Sequence, residues 1–570
     1  MKLKKVTIEN FRGLQKVDLE LDETTVLIGE NNTGKTSILE AVRLCLGRTL
    51  SRSGSVFEEY DYYLKDRNAQ PGEAGSMVLT FRFYEDEGEE WEEDLARDLD
   101  DVIVFNDELR TISFRVTSGF DEATKDFVTD WEFLDAKDKP LSPKTKQPRI
   151  LNRFQQFCPV FYLSATRDAV KDFGPRSLFW APFLRNPDID PQVREALERE
   201  LSELNEKIID AHQSLKDVST NLMKTGQVVS LGKKHQVTIE ALPGRAFDAL
   251  SRAQVSISGT TGAPLPLGRH GAGTQSLSVM FLFESFLKEM LTKSYDAASS
   301  PIMTLEEPEA HLHPSAIRTL WKSLHGMKGQ KIIATHSGDL LAEVPLKSIR
   351  RLCRNDGGVE LRKIQIENLT DNEQRKLLFH IRYARGELFF ARCWVLVEGE
   401  TEHHILTCLA EMMGEGYDLE KYGVRVVTTK HVGIEVLLKV ADDLGIAWHC
   451  LADGDNSGQI EAQKVKAALA GRRKSEHLAV LPDDNIEIYL CKNGFGNIYE
   501  SHISPQKHAQ VMADHGTTEY WKQVVKAKDR TPKPQIALEV AEKMGSRSID
   551  GAPEELKDVI KAAINLAKGQ

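Results

Sequence analysis

The chain has 570 residues, 41% of them hydrophobic and 28% charged, which is the composition of ordinary globular domains and long enough for several cores. Acidic residues outnumber basic ones 86 to 74, a formal net charge of −12, so contact with nucleic acid must rely on local basic surface or bound cations. Seven scattered cysteines without a C-x-x-C pair argue against a disulfide framework or a cysteine-rich zinc site. They fit a reducing cytoplasm, and no apolar run is long enough to span a bilayer or serve as a signal-peptide core.

VTIENF (6–11) and VDLELD (17–22) alternate as half-buried strands, TTVLI (24–28) reads as a short buried strand, and SILEAVRLCL (37–46) has apolar residues at helical spacing. Between the last two lies Gly29-Glu-Asn-Asn-Thr-Gly34-Lys35-Thr36, a G-x-x-x-x-G-K-[ST] loop in its required strand-to-helix setting. Its backbone N–H groups, from Asn31 and Gly34 to Ser37, would cradle phosphates. Lys35 would reach the β- and γ-phosphates of ATP, and Thr36 would bind Mg²⁺. Residues 48–150 carry strand-like pieces (78–84, 102–105, 111–116) and an acidic run at 85–101 that reads as a solvated face.

Asp190-Pro191 then supplies an N-cap and a first-turn proline. Leu197, Leu201, Leu204, Ile208, Ala211, Leu215, Val218 and Leu222 follow in steps of four and three, an a/d seam that predicts one helix pairing with another, within or between chains. Residues 226–300 return to strands and a loop rich in glycine and threonine, then a helix. The turn GRHGAGTQS, with Gly271 and Gly273, opens that helix and offers a second anion-binding N-terminus, suited to a γ-phosphate approached from the opposite side. PIMTLEEPEAHLHP (301–314) is a buried strand ending in carboxylates. Glu306 would hold Mg²⁺ through water, and Glu307 would orient or deprotonate the attacking water. His311 and His313 lack a third ligand nearby and read as a structural turn. KIIATHSGDLL (331–341) is another buried strand, ending at His336, where a γ-phosphate sensor would sit.

ENFRGL (9–14), the P-loop, GAGTQS, LEEPEAHLHP and ATHS, in this order, resemble the ABC-type ATPase heads of the RecF and SMC class. The resemblance implies nucleotide sandwiched between two heads, hence a homo-oligomer, with Arg12 near the nucleotide. The insertion between Lys35 and Glu306 is far too short for an SMC coiled-coil arm.

From about 391 a fresh alternation of strands and helices begins. A strand ends at Glu398-Gly399, and Glu402 follows one helical turn on. A second strand (446–458) ends in Asp453-Gly-Asp455, where the glycine is expected to let the backbone turn so that both aspartates reach one ion. A third (477–490) brings Glu487. Carboxylates at the carboxyl ends of neighbouring parallel strands make a hard-oxygen site for Mg²⁺ or Mn²⁺, and two such ions could clamp a phosphodiester. His403 and His404 read as helix surface or as supports behind the ligands, not as ligands.

Glu398-Gly with Asp453-x-Asp455 resembles the Toprim domain, and an ABC-type head followed by Toprim is similar to the OLD (overcoming lysogenisation defect) family of ATP-dependent nucleases and the nuclease subunit of the Gabija antiphage system. The resemblance implies an α/β chain with head residues 1–185 and 229–390, a dimerising helical insertion at 186–228 and a Toprim nuclease domain at 391–570. It implies an ATP-regulated, metal-dependent DNA endonuclease acting in antiphage defence, with DNA, a second copy and a defence partner such as a helicase as companions, and no membrane. It also implies a catalytic lysine beyond the acidic cluster, for which Lys533 is the best local match and Lys526 and Lys528 compete. An ATP-driven DNA-binding clamp with an inactive Toprim domain is the rival reading. A primase or topoisomerase is disfavoured by the missing zinc module and tyrosine-bearing domain.

Overall fold

The computed structural model describes residues 1–569 apart from 52–55, 67, 87, 89, 107, 175–176, 186–188, 224–240, 251–252, 259–261, 356–357, 385, 529–532 and 547–550. Contacts divide the chain into two units: 1–162 with 300–308 and 329–570, and 163–299 with 309–328.

In the first unit, β1 (Lys2–Phe11) and β2 (Leu14–Glu20) form a hairpin whose turn places Arg12 at φ +51°, and β3 (Thr24–Gly29) follows. β4 (Met77–Tyr84), β5 (Val104–Asn106), β6 (Leu109–Asp121) and β7 (Asp126–Leu134) complete an antiparallel sheet in the order β2-β1-β4-β6-β5, with β7 pairing the part of β6 beyond β5, on the side away from β4. β7 lies in a stretch for which the sequence reading proposed no separate strand; its alternation of exposed acids with half-buried residues marks an edge.

The β8 strand (Val160–Leu163) begins in this unit. The second unit contains β9 (Ser256–Ile257) and β10 (Leu265–Pro266), each only two residues long. The strands expected over 226–300 are therefore rudimentary, and the part of that expectation at 224–240 lies outside the described residues.

A second sheet of the first unit runs β14-β13-β3-β12-β11-β8, built from β11 (Ile302–Glu306), β12 (Gln330–Ala334), β13 (Ile349–Asn355) and β14 (Gly358–Arg362). β13, β3, β12 and β11 are parallel. Their near-continuous apolar runs fit burial on both faces: Val26, Leu27, Ile28, Ile302, Met303, Leu305, Ile332 and Ile333 are all fully buried. The helix Lys35–Leu46 packs against β11, β12 and β3.

The C-terminal part of the unit holds a four-stranded parallel sheet, β16-β15-β17-β18, formed by β15 (Cys393–Val397), β16 (Val424–Thr428), β17 (Ala447–Ala452) and β18 (Leu478–Val480). β18 stops at Val480, short of the expected strand to 490. Pro482 cannot donate to a ladder, and Asn485 caps a new helix, Ile486–Leu490, by accepting from the Ile488 N–H. Glu487 therefore sits in the first turn of that helix and not at a strand end.

The second unit is largely helical. The heptad stretch is two helices, Pro191–Ala211 and Gln213–Met223, interrupted at His212 in an extended conformation. His212, a residue of middling helix propensity, occupies the break, and Gln213 opens the second helix. Asp190 caps the first helix as expected. Leu197, Leu204 and Val218 of the seam are 40%, 48% and 48% exposed, whereas Asn205 is buried and accepts from the Ala241 and Leu242 N–H groups.

Candidate functional site

Two centres are built at strand ends of the first unit. At the first, β3 delivers the chain into the P-loop. Gly34, the residue before the helix, lies at φ +98°, and a Cβ there would come within 2.3 Å of Leu14, so only glycine fits. The buried Lys35 ammonium donates to the carbonyl oxygens of Gly29 and Glu30 at 2.9 and 2.7 Å, and burial lowers its pKa to about 8. The Thr36 hydroxyl donates to Glu306 at the end of β11. Tyr162, from β8, donates to the other oxygen of that carboxylate at 2.8 Å.

Glu307 follows in the left-handed region at φ +42°, with its N–H held by the Ala334 carbonyl; a non-glycine residue there is strained, a mark of functional positions. His336 stands 4.0 Å from Glu307, and its pKa is lowered, first by burial and then by Lys35. Asn31, Gly34, Lys35, Thr36, Ser37, Glu306, Glu307 and His336 all line one cavity of about 600 Å³. Arg354 of β13 also lines it and was missed, because nothing in the sequence aligns β13 beside β3. Arg12 is not in that lining: its guanidinium is paired with Asp61 at 2.8 Å and faces Glu40 at 3.8 Å.

Gly271 and Gly273 belong to the second unit, at the start of the helix Ala272–Glu289, where Gly271 is the uncapped N-cap. A Cβ on Gly273 would meet the His311 carbonyl at 2.6 Å, while one on Gly271 would meet nothing within 4 Å among the described residues. His313 caps the helix Pro314–Gly326 and His311 sits at φ +66°, so this pair is a structural turn.

The second centre lies at the carboxyl ends of β15 and β17. Glu398 directly follows β15, and Glu402 sits in the first turn of the helix Glu400–Met413, accepting the Gly399 N–H at 3.2 Å. Asp453 directly follows β17, and Asp455 caps the helix Asn456–Ala468 through the Gly458 N–H at 2.8 Å. The intervening Gly454 has an ordinary φ. What it supplies is contact, since a Cβ there would lie 2.4 Å from the Asp483 carbonyl; this replaces the expected need for a special turn. Glu398, Glu402, Asp453, Asp455 and Glu487 line one cleft of about 640 Å³.

Glu402, Asp453 and Glu487 are buried. Burial, then the charges of Glu487 and Glu398, push the Glu402 pKa up to about 7. Burial, then Glu402, Glu398 and Glu487, hold Asp453 well above the carboxylate range. Glu461, which the sequence reading did not single out, is raised by burial and by Glu398 and Asp455.

Among the described residues, no three such side chains already stand in a ligating arrangement. The donor set is nonetheless the hard, all-oxygen kind that suits a divalent cation, whose charge would relieve the mutual repulsion. Lys533 opens the helix Lys533–Ser546, but its side chain lies outside the described residues; Lys526 and Lys528 are not among the residues lining the cleft.

The two centres touch through main-chain and ionic contacts. Glu30 of the P-loop is paired with Arg392, the residue before β15, at 2.6 Å. Arg351 of β13, 5% exposed, donates to the carbonyls of Leu444 and Ala391 at 2.8 Å and of Gly445 at 3.1 Å. His336 stacks on Phe390 with ring centroids 6.4 Å apart.

Residues 1–387 match the family model described as "Protein of unknown function (DUF2813)", and residues 389–455 match "Overcoming lysogenization defect protein-like, TOPRIM domain". The chain is 29% identical to the protein YbjD of Escherichia coli (strain K12), over the full length of both. It is 26% identical to the OLD nuclease of Thermus scotoductus (strain ATCC 700910 / SA-01), over 80% of this chain and 82% of that one. It is 23% identical to the endonuclease GajA of Bacillus cereus (strain VD045), over 78% and 75%.

Proposed function

Because this chain belongs to the DUF2813 family and carries an OLD-like TOPRIM domain beyond that region, we propose that it is an ATP-controlled, divalent-metal-dependent nuclease that hydrolyses DNA phosphodiesters; its similarity to proteins named OLD nuclease and endonuclease GajA supports the nuclease part of that reading. The observation that carries the reading is the convergence of five carboxylates from three chain segments on one cleft, in the same compact unit as a P-loop centre whose Thr36 and Glu306 meet. The proposed division is an ATPase head at 1–185 and 229–390, an insertion at 186–228 and a nuclease domain at 391–570.

In the head, Lys35 turns from its own loop carbonyls to the β- and γ-phosphates, and the loop N–H groups from Asn31 to Ser37 hold the remaining oxygens. Thr36 and Glu306 hold Mg²⁺, Tyr162 fixes Glu306, Glu307 orients water, and His336 reads the γ-phosphate. Arg12 positions the loop through Asp61 and Glu40, and the Gly271–Gly273 turn of a second copy closes the site. In the nuclease domain, Glu398, Glu402, Asp453, Asp455 and Glu487 hold Mg²⁺ or Mn²⁺, and Lys533 approaches the phosphate. The bound cations would supply an activated water and stabilise charge on the phosphoryl oxygens. The protein's own part is to gather carboxylates that repel one another and to hold them by burial.

Among the described residues no helix is long and apolar enough to cross a membrane. We place the protein in the cytoplasm, acting on DNA as a homo-oligomer in antiphage defence, with a helicase or other defence-system protein as its companion. The test is cleavage of supercoiled plasmid with Mg²⁺ or Mn²⁺. The wild type nicks or linearises it; Asp455→Ala and Glu398→Ala each lose cleavage by at least about a hundredfold while hydrolysing ATP normally. A wild type that is inert with both metals, with and without ATP, sinks the reading.

A further inference from the structure

A cleft lined by seven carboxylates, the five of the cluster with Glu387 and Glu400, repels a polyanion, so a nucleic-acid substrate needs a cation inside it. Two permanent cations line the cleft, Arg425 and Lys430. Arg425 is already engaged, with Glu420 and with Glu387 at 3.8 Å. Lys430 makes no ion pair among the described residues and is exposed to the cleft.

Its placement is built. The Thr429 carbonyl accepts from the Val432 and Gly433 N–H groups, closing a turn with Lys430 and His431 at its corners. Gly433, at φ +94°, takes a conformation open to glycine. The Thr429 N–H donates to the Val397 carbonyl at 2.8 Å, which ties this turn to the residue immediately before Glu398. His380, 5% exposed, lines the same cleft, and its buried Nδ1 has no hydrogen-bond partner among the described residues.

We infer that Lys430 is the phosphate-binding residue of the acidic cleft: its ammonium receives a non-bridging oxygen of the DNA backbone beside the carboxylate cluster, with His431 and His380 flanking the strand. This rests on the nuclease reading above and adds a second cation to the lysine that the family resemblance implies, since Lys430 precedes Asp453 in the chain whereas that lysine lies beyond the acidic cluster. A lone lysine after a strand has no spacing signature; only the pairing of β15 with β16 brings it to Glu398.

The test compares wild type, Lys430→Ala, Lys430→Arg and Asp455→Ala in two assays. The first is plasmid cleavage with Mn²⁺; the second is binding of a labelled duplex oligonucleotide in Ca²⁺ across a salt series. Lys430→Ala should cut about tenfold to a hundredfold more slowly, with ATP hydrolysis and melting temperature unchanged, and Lys430→Arg should recover most of the loss. Its plot of log affinity against log salt should be shallower by about one unit. If wild type cuts, Asp455→Ala does not, and Lys430→Ala cuts and binds like wild type, the inference is overturned while the nuclease reading stands. If wild type binds without cutting, the nuclease reading fails, and the salt slope of Lys430→Ala decides the inference alone. A wild type that neither binds nor cuts overturns both.

Discussion

The Thr36 hydroxyl donates to the carboxylate of Glu306, 270 residues further along the chain. Neither residue is near the other in sequence, yet the parallel order β3-β12-β11 brings the P-loop and the end of β11 to one end of one sheet, so the two proposed Mg²⁺ partners meet. The second oxygen of Glu306 is held by Tyr162.

Removing that phenol hydroxyl should therefore loosen the carboxylate without removing it. Tyr162→Phe is expected to slow ATP hydrolysis about tenfold, the equivalent of about 1.4 kcal/mol, with nucleotide affinity nearly intact, whereas Glu306→Gln should abolish turnover. Steady-state hydrolysis with a fluorescent-nucleotide titration checks both. Equal rates for Tyr162→Phe and wild type would show that Glu306 is positioned without Tyr162.

The acidic cleft makes a pH prediction. Glu402 has its folded pKa raised to about 7, and Asp453 is raised further. Both keep their protons in the folded state at pH values where the unfolded chain has lost them. Their contribution to the stability of the metal-free protein is thus fully present below the unfolded carboxylate values and is lost as pH rises through about 7 and beyond. Cations compete with those protons. Added Mn²⁺ should raise the melting temperature more at pH 8 than at pH 6, and binding at pH 7 should release on the order of one proton. Calorimetry in buffers of different ionisation enthalpy measures the release; a metal-induced shift equal at both pH values would count against the cluster as the site.

A third expectation concerns traffic between the centres. Glu30 lies in the phosphate loop and pairs with Arg392 at the entrance to β15. Arg392→Ala should leave ATP hydrolysis and metal-dependent cleavage each within about threefold of wild type, as befits a half-exposed pair. What it should erase is the difference between cleavage with and without ATP. The ratio of those two rates is the readout, and a wild-type ratio in the variant would remove this pair from the coupling.

The shared-site reading predicts complementation. Gly273 is a poor place for a probe, since any side chain collides with the His311 carbonyl; Gly271 is open. Asp is a good N-cap, so Gly271→Asp should fold while presenting a carboxylate where a partner's γ-phosphate would lie. Gly271→Asp and Lys35→Ala should each hydrolyse ATP poorly. Their mixture, with subunit exchange verified by pull-down, should recover up to about half of wild-type activity per mixed dimer, because one composite site escapes both lesions. Verified exchange without recovery would argue for self-contained sites.

The exposed heptad leucines carry the last expectation. Leu197→Asp with Leu204→Asp places charges on a surface that is already half open in the single chain. If that seam joins copies, light scattering should report a smaller species of unchanged melting temperature. A species of wild-type mass would move the interface elsewhere.

Much of this was legible in the chain itself, for identifiable reasons. The P-loop is a local object: strand, turn and helix between Thr24 and Leu46, with Gly34 demanded by its own backbone. The acids 398, 402, 453 and 455 follow strand ends that their apolar runs announce. Glu487 was found with the wrong support, because the strand reading ran on through Pro482, Asp483, Asp484 and Asn485 into a second apolar stretch, Ile486–Leu490, which is a helix. Tyr162, Arg354 and Lys430 were invisible for one shared reason: each reaches its site through strand neighbours far away in sequence, a pairing that no residue spacing encodes. The heptad stretch is helical, but periodicity cannot reveal a single extended residue such as His212.

The buried Arg351 has a consequence for anyone who would dissect the molecule. Its guanidinium hangs from the strand beside the phosphate loop and is satisfied by three carbonyls at Ala391, Leu444 and Gly445. Cutting the chain near residue 390 would not release two finished modules. It would strip one fragment of the donor for three carbonyls and leave the other with a permanent charge on an opened surface. The ATP-binding and acidic parts are therefore poor cassettes for exchange between relatives unless Arg351 and its acceptors travel together, and a chimaera joined at that point should fold badly however well each half matches its own parent.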